Sequence, residues 1–474
     1  LYKFYLRDDK LKYELNELIK MFLKPSEYQV LNPEDPLEPG DFSVSGAGEA
    51  ADTAAEGDDL PDMVFRMSPD VTEKNEAKRR LYDWLAQRTG ERPDWGTLTG
   101  VRPAKLAGDY LNRGADFEDL RRILSETYYL SQEKIDLVSE VCRVQRETVG
   151  PAPERSAGVY IGIPFCPTRC LYCSFTSNQA PPEKIGGYLE ALHHEISYTA
   201  DLMKRRDMRP ESIYIGGGTP TTLSPQQLSE LLDHVNRAFD MSGVREFTVE
   251  AGRPDTITRD KLLAIRDSGA QRISINPQTM KGSTLELIGR SHSPEQIVEA
   301  FSLAKDVGIP IINADLITGL PGEDTEDFRR TLDTIIGLSP ENITVHTLAV
   351  KRASKLIELD ADYHYNQGPV VREMLAVSRE MMDRHGYRPY YMYRQKHMAG
   401  NFENVGYARP GTESIYNVRI MDENQSIVAL GAGGISKMYF GRENRLERIP
   451  NVSNYEIYME RIEEMLERKE KGFI

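Results

Sequence analysis

The chain is poor in cysteine, tryptophan and histidine, and it lacks any long apolar run. Its 474 residues hold four cysteines, two tryptophans and eight histidines. Four cysteines are too few for a disulfide scaffold, which is Cys-dense and mostly secreted. No apolar stretch approaches the roughly 20 residues of a membrane helix, and no signal-peptide core stands at the start. We therefore expect a cytoplasmic protein with no membrane partner. Basic residues are the minority, 59 against 74 acidic, giving a net charge of -15. That balance argues against nucleic acid as a partner but leaves room for a local basic pocket. At about 150 residues per domain, the length suggests about three domains.

What cysteine there is clusters. Cys166, Cys170 and Cys173 fall within eight residues, and only Cys142 stands apart. Cys142 sits among apolar neighbours in a helical pattern and reads as a buried structural thiol. The other three point to a metal.

Residues 1–150 read as one region of mixed strand and helix. Tyr2–Leu6 and Met63–Met67 have strand character and are expected to pair. Lys10–Leu23, Glu73–Thr89 and most of Phe117–Val149 have helical spacing. Between the two strands, Ser43–Asp62 carries six acidic residues and no basic one. Such a stretch cannot bury enough apolar surface to order its backbone and is expected to be a mobile loop.

From about Val159 short apolar runs alternate with amphipathic helices. The runs are Val159–Pro164, Ser212–Ile215, Glu246–Glu250, Arg272–Ile275, Ile311–Ile317 and Asn342–Leu348. Ser224-Pro-Gln-Gln and Ser293-Pro-Glu-Gln each place a capping serine before a first-turn proline. Six β-runs with helical crossovers predict a parallel sheet. The fold class is α/β: a partial (βα)6 barrel over residues 151–386, whose open side admits a large ligand. The strand ends at the C-terminal side turn polar or Gly-rich, where such folds place their sites. Residues 387–474 read as a small α+β domain, with strands at Arg388–Arg394 and Ile427–Leu430 and a helix over Asn454–Lys471.

The densest signal is Gly162-Ile-Pro-Phe-Cys166-Pro-Thr-Arg-Cys170-Leu-Tyr-Cys173. The spacing C-x3-C-x2-C directly follows the first β-run. Three thiolates so spaced can hold three irons of a cube-shaped iron–sulfur cluster, leaving the fourth iron open to a chelating ligand. On the loop alone, a zinc site that draws a fourth ligand from elsewhere is the other reading.

This loop at the end of the first strand of a βα repeat resembles the radical S-adenosylmethionine (SAM) superfamily. Tyr160-Ile-Gly-Ile-Pro-Phe-Cys, Gly216-Gly-Gly-Thr-Pro-Thr221, Val249-Glu-Ala, Asp315-Leu-Ile-Thr-Gly-Leu-Pro321 and Leu430-Gly-Ala-Gly-Gly-Ile-Ser436 resemble the oxygen-independent coproporphyrinogen III oxidases. Thr99-Gly-Val-Arg-Pro103, Glu250-Ala-Gly-Arg-Pro-Asp-Thr256 and the stretch from Tyr393 to Gly406 resemble the HemZ-type branch, described as coproporphyrinogen dehydrogenases. The resemblance implies a 4Fe-4S cluster held by Cys166, Cys170 and Cys173. It implies a first SAM held at Tyr160, Tyr172, Gly216, Gly217, Glu250 and Ile435. A second SAM falls to Gly218, Thr219, Gln278, Arg290, Asp315 and Ala349.

The implied reaction makes a 5′-deoxyadenosyl radical, which takes hydrogen from a propionate of coproporphyrinogen III. Loss of CO2 and an electron leaves a vinyl group, and two such steps give protoporphyrinogen IX. The implied partners are a tetrapyrrole and an electron donor of unknown identity, and the implied oligomeric state is a monomer. Arg394, Lys396 and His397, beside Tyr390, Tyr391 and Tyr393, are candidates for contacts to the substrate, as is Arg102. The sequence departs from the well-studied oxidases at Phe175, where they carry a fourth cysteine. It also lacks the His-Asn…Tyr-Trp signature of the related haem chaperones. A haem-binding chaperone, with His346 or His397 as axial ligand, and a radical SAM enzyme acting on haem stand as alternatives.

Overall fold

Apolar runs joined by capped amphipathic helices build a parallel sheet, because each strand must return through a crossover before the next can pair. The computed structural model describes residues 1–6, 9–32, 42–45, 63–66, 73–100, 102–173, 178–349, 367–395, 401–441 and 443–473. The chain divides into two compact units, Leu1–Glu140 and Val141–Ile474. The break falls ahead of the expected boundary at 150.

In the first unit, strands β1 (Tyr2–Tyr5), β2 (Tyr28–Leu31), β3 (Phe42–Ser45) and β4 (Met63–Arg66) lie in the order β2-β1-β4-β3. All three pairings are parallel. The expected pairing of the Met63 run with the first strand is present. Ser43–Ser45, expected in the acidic loop, instead belong to β3, where Phe-Ser-Val-Ser alternates with the strand period. The remainder of that loop lies outside the described residues. Phe4, Leu15, Leu18, Leu81 and Leu85 form the buried core of this unit.

In the second unit, β5 (Ser156–Ile163), β6 (Arg209–Gly217), β7 (Glu246–Gly252), β8 (Arg272–Gln278), β9 (Ile311–Thr318) and β10 (Asn342–Thr347) follow one another in sequence order. Each is parallel to the last. These are the six expected runs. Three of the helices between them start on complete capping boxes, at Ser224, Ser293 and Asp324, each worth about 1 kcal/mol of helix stability.

The segment after 387, expected as a separate small domain, is continuous with this sheet at both edges. β11 (Arg388–Arg394) and β12 (Glu403–Ala408) extend it antiparallel beyond β10. β13 (Ser426–Leu430) pairs parallel with β5, and β14 (Ile435–Phe440) and β15 (Arg445–Pro450) continue outward. Among the described residues no helix is long and apolar enough to cross a membrane.

The expected helix over Asn454–Lys471 is two helices, Tyr455–Glu460 and Ile462–Gly472, broken at Arg461. The break has a physical reason. Tyr458 and Lys469 both reach Glu195, with its side chain fully buried. In one straight helix those two positions would stand roughly 16 Å apart along the axis. Glu195 Oε1 accepts from Lys469 Nζ at 2.6 Å and Asn451 Nδ2 at 2.7 Å; Oε2 accepts from Tyr458 OH at 2.6 Å and the Gly431 N–H at 2.7 Å. The last contact fixes the glycine-rich turn after β13, which borders the site.

Burial alone would raise the Glu195 carboxyl, but the Lys469 ammonium holds it below the ordinary glutamate range. A depressed carboxyl contributes stability that is present above its unfolded value and lost as pH falls through its folded value. Lys469→Met should cost about 3–5 kcal/mol, because Glu195 stays buried without its cation. The denaturant midpoint at pH 7 reads this directly. The variant should narrow its deficit on acidification, as Glu195 takes a proton, while the wild type weakens below roughly pH 4.5. Equal midpoints at neutral pH would remove the pair from the fold's supports.

Candidate active site

The three clustered cysteines stand just beyond the C-terminal end of β5. Phe165 and Asn178 form a bridge across the base of their loop, and the Cys166 N–H donates to the Asn178 carbonyl at 3.0 Å. The Cys173 N–H donates to the Cys170 carbonyl at 3.1 Å, closing a turn. All three thiols are half-buried and outside any disulfide. They border one cavity of about 650 Å³. Among the described residues no three His, Cys, Asp or Glu side chains converge tightly enough to hold a single metal ion. Cluster thiolates need not converge so tightly, because each binds a different iron at its own corner of the cube. The donor set therefore fits a cluster. Cys142 is buried elsewhere, and burial pushes its thiol far up; an inert structural thiol is the consequence.

The glycine run at the end of β6 lies against this loop. The Gly218 N–H donates to the Ile163 carbonyl at 2.7 Å and the Thr219 N–H to the Phe165 carbonyl at 2.8 Å. A Cβ on Gly218 would stand 2.5 Å from the Phe165 oxygen. One on Gly216 would stand 2.9 Å from Glu250 Cδ. The run is thus required by the cysteine loop and by Glu250, whatever else its backbone meets. Thr219 Oγ1 and Cys166 Sγ share a hydrogen bond at 3.4 Å.

Tyrosines stack behind Glu250. The ring of Tyr214 lies 6.2 Å from that of Tyr160 and 4.6 Å from that of Tyr416, both near parallel. Tyr214 OH donates to Glu250 Oε1 at 2.5 Å. Burial pushes the Glu250 carboxyl up to about 7, only partly opposed by Tyr214 and the Gly217 N–H. A carboxylate held so weakly takes a cationic or hydrogen-bonding partner readily.

The opposite wall comes from β8, β9, β10 and β11. Asn313 Nδ2 donates to Asp315 Oδ1 at 2.7 Å. His346 Nε2 stands 3.8 Å from the same oxygen, and its Nδ1 shares a hydrogen bond with Tyr393 OH at 3.3 Å. Gln278 takes a left-handed backbone at φ 68°, a conformation that costs a non-glycine residue energy and gathers at functional sites. Its Oε1 is buried without a hydrogen-bond partner among the described residues, as is Arg290 Nε. Arg290 otherwise donates to the Asn276 carbonyl at 2.8 Å and to Tyr172 OH at 2.9 Å.

Of the residues singled out in the sequence, Tyr160, Cys166, Cys170, Tyr172, Cys173, Gly217, Gly218, Thr219, Glu250, Gln278, Arg290, Asp315, Ala349 and Ile435 all border this cavity. Gly216 does not; it lies behind Glu250. The suggested basic run is corrected in part. Arg394 is buried and donates to the Asn401 carbonyl through Nε at 3.2 Å and Nη2 at 2.9 Å. Strand alternation turns Tyr391, Tyr393 and Gln395 to the cavity instead. Tyr390 packs with Val149 and Ile415. Arg102 belongs to the first unit, at the start of the helix Pro103–Asn112. Lys396, His397 and Phe175 lie outside the described residues.

Sequence reasoning missed Tyr214 and Tyr416. A signal for Tyr214 existed, since parallel pairing of β5 with β6 sets it opposite Tyr160. Tyr416 comes from a helix more than 200 residues away in sequence and left none.

Comparison with known proteins gives the family. The signature of the Radical SAM superfamily matches residues 160–335. The oxygen-independent coproporphyrinogen-III oxidase-like protein HemZ of Bacillus subtilis is 37% identical, over 98% of this chain and 96% of its own. The heme chaperone HemW of the same species is 32% identical over 58% of this chain and 69% of its own. Among solved structures, coproporphyrinogen III oxidase (HemN) of Escherichia coli, described as a radical SAM enzyme, superposes with a TM-score of 0.54 at 25% identity. It covers 69% of this chain and 73% of its own. The chain belongs to the radical SAM superfamily, within the oxygen-independent coproporphyrinogen-III oxidase-like family of HemZ, a membership that implies a 4Fe-4S cluster and SAM.

Proposed function

We propose that the chain is an oxidoreductase that converts propionates of coproporphyrinogen III to vinyl groups, giving protoporphyrinogen IX. The observation that carries this reading is the gathering around one cavity of the thiols, Glu250, Gln278, Arg290 and Asp315. Cluster and SAM, when bound, supply a 5′-deoxyadenosyl radical able to abstract hydrogen from an unactivated carbon. The chain's own residues hold, orient and shield. Cys166, Cys170 and Cys173 hold three irons. Glu250, already oriented by Tyr214, accepts from the amino group of SAM. Tyr160, Tyr172, Gly217 and Ile435 complete that site.

A second SAM would be held by Gly218, Thr219, Gln278, Arg290, Asp315 and Ala349. Gln278 Oε1 and Arg290 Nε, without a partner among the described residues, support it, because buried polar atoms are rarely left unsatisfied. The tyrosine walls exclude water, which a radical site needs. Loss of hydrogen, CO2 and one electron turns the propionate into a vinyl group. The electron leaves to an acceptor outside the chain, and reduction comes from a separate donor.

A second reading is a haem-binding chaperone like HemW. It is favoured by His346, which borders the cavity beside Tyr393 and could serve as an axial iron ligand.

Four experiments test these readings. Cys170→Ala should lose cluster iron and SAM cleavage together; normal iron content would break the ligand assignment. Glu250→Gln should weaken SAM binding about tenfold at pH 8, the worth of one charge-assisted hydrogen bond, and much less at pH 6. The sign follows from a carboxyl pushed up to about 7: it is ionised above that value and neutral below it. A wild-type affinity flat across this range would remove Glu250 from the site. Anaerobic incubation of the reconstituted chain with SAM, a reductant and coproporphyrinogen III should give stepwise loss of two CO2, matched to 5′-deoxyadenosine. SAM cleavage with an unchanged tetrapyrrole would move the substrate. Stoichiometric haem binding that is lost in His346→Ala, with no turnover, would favour the chaperone.

A further inference from the structure

Arg253 follows directly on the end of β7, three residues beyond Glu250, and its side chain is 4% exposed. A guanidinium has five N–H donors, and here each finds an acceptor. Nε and Nη2 form a fork onto Asp255, at 3.0 Å to Oδ1 and 2.8 Å to Oδ2. Nη2 also donates to Ser291 Oγ at 3.2 Å. Nη1 donates to Thr168 Oγ1 at 2.5 Å and to the Thr168 carbonyl at 3.4 Å.

Thr168 is the middle residue between Cys166 and Cys170. Its hydroxyl passes on to the Gly289 carbonyl at 3.1 Å. Three residues later, the Leu171 N–H donates to the Ile288 carbonyl at 2.9 Å. Gly289 itself turns through φ 78°, where a Cβ would meet the Arg169 carbonyl at 3.4 Å. One buried cation thus ties the outer arc of the cysteine loop to β7 and to the turn before the helix Pro294–Val307.

The charge of that cation matters to what the loop holds. A cluster on three thiolates is anionic, and its potential depends on nearby net charge and hydrogen bonds. An uncompensated guanidinium beside it would stabilise the reduced form and make it a weaker reductant. Reductive cleavage of a sulfonium needs a strong one. Asp255 answers this. Burial alone would raise its carboxyl, but the Arg253 fork, with His292 3.7 Å away, holds it well below the usual carboxylate range, so it is ionised. Burial lowers His292, leaving its ring neutral. The pair therefore supplies a rigid fork with no net charge.

We infer that Arg253 is the positioning residue that holds the cysteine loop ready for its cluster through Thr168, and that Asp255 cancels its charge so that the cluster stays strongly reducing. The electrostatic half rests on the reading of the three cysteines as cluster ligands. The anchoring half does not.

The test uses the full-length chain, first without its cluster and then reconstituted. Hydrogen exchange of the amides from 166 to 173 should speed up about tenfold in Arg253→Gln and in Thr168→Val, the factor for losing one charged hydrogen bond. The amides of β5 to β8 should not change. Thr168→Val touches only the half-exposed loop end of the contact, so it reports even where Arg253→Gln fails to fold. In the reconstituted chain, the cluster midpoint potential should fall in Arg253→Gln, rise in Asp255→Asn and stay put in Thr168→Val. A merely structural pair would not move the potential in opposite directions. Unchanged loop exchange in Thr168→Val overturns the anchoring role. Shifts of the same sign in the two charge variants overturn the cancellation. A wild-type chain that takes up no cluster overturns the electrostatic half together with the proposed function, and the exchange result still decides the anchoring half.

Discussion

The site depends on how closely the C-terminal ends of β5 and β6 approach. Gly218 leaves no room for a Cβ against the Phe165 carbonyl, and the N–H of Thr219 bonds that same oxygen. The first turn of the cysteine loop is thereby made a continuation of the sheet. Cys166 inherits the rigidity of a central parallel pair, and its sulfur meets Thr219 across the joint. Two residues earlier in the run, Gly216 leaves space that Glu250 fills. One stretch of bare backbone thus sets both the base of the thiol loop and the carboxylate beside it. A side chain anywhere in it would push the two apart, and a site whose geometry must hold within about half an ångström would not tolerate that.

Three carboxylates near this joint are treated differently, and the contrast separates support from function. Glu195 receives four donors, one of them a cation, and is held ionised. Asp255 is gripped by a guanidinium fork and is also ionised. Glu250 receives a tyrosine hydroxyl and a backbone N–H, with no cation among the described residues, and burial drives it up to about 7. A fold gains nothing from leaving a carboxylate so poorly compensated. The arrangement makes sense where a ligand brings the missing partner. Glu195 and Asp255 also differ in what they serve: one fixes the glycine-rich turn after β13, the other takes the fork of Arg253, whose Nη1 reaches Thr168.

Much of this was legible in the sequence, for definite reasons. The six strands β5 to β10 were visible because strands buried on both faces read as apolar runs, and Ser224 and Ser293 announced two of the helices between them. The cysteine loop and the glycine run were visible because their chemistry is local. What was hidden is long-range. Tyr416 joins the Tyr160 and Tyr214 stack from a helix far along the chain. The contact of Thr168 with Gly289 spans 121 residues. The break at Arg461 follows from two side chains sharing Glu195, which no helical periodicity encodes. Arg394 misled because a basic residue beside tyrosines looks like a ligand contact, whereas strand alternation turns it away from the cavity its neighbours line.

Topology explains how an unclosed barrel can still surround a ligand. Six parallel strands leave two edges, and an exposed edge presents unpaired backbone. The C-terminal segment covers both. β12 and β11 add to β10 and carry Tyr391 and Tyr393 to one side of the cavity, while β13 adds to β5 and leads into the turn that carries Gly433, Gly434 and Ile435 to the other. Ile435 remains 47% exposed, an unusual state for a large apolar side chain at a cavity wall. The added strands therefore do two jobs with one pairing: they satisfy the sheet edges and extend the walls outward without joining them. Full closure would bury Ile435 and seal the cavity. The cavity therefore keeps an opening flanked by aromatic and aliphatic walls, with Glu250, Asp315 and the three thiols among its lining.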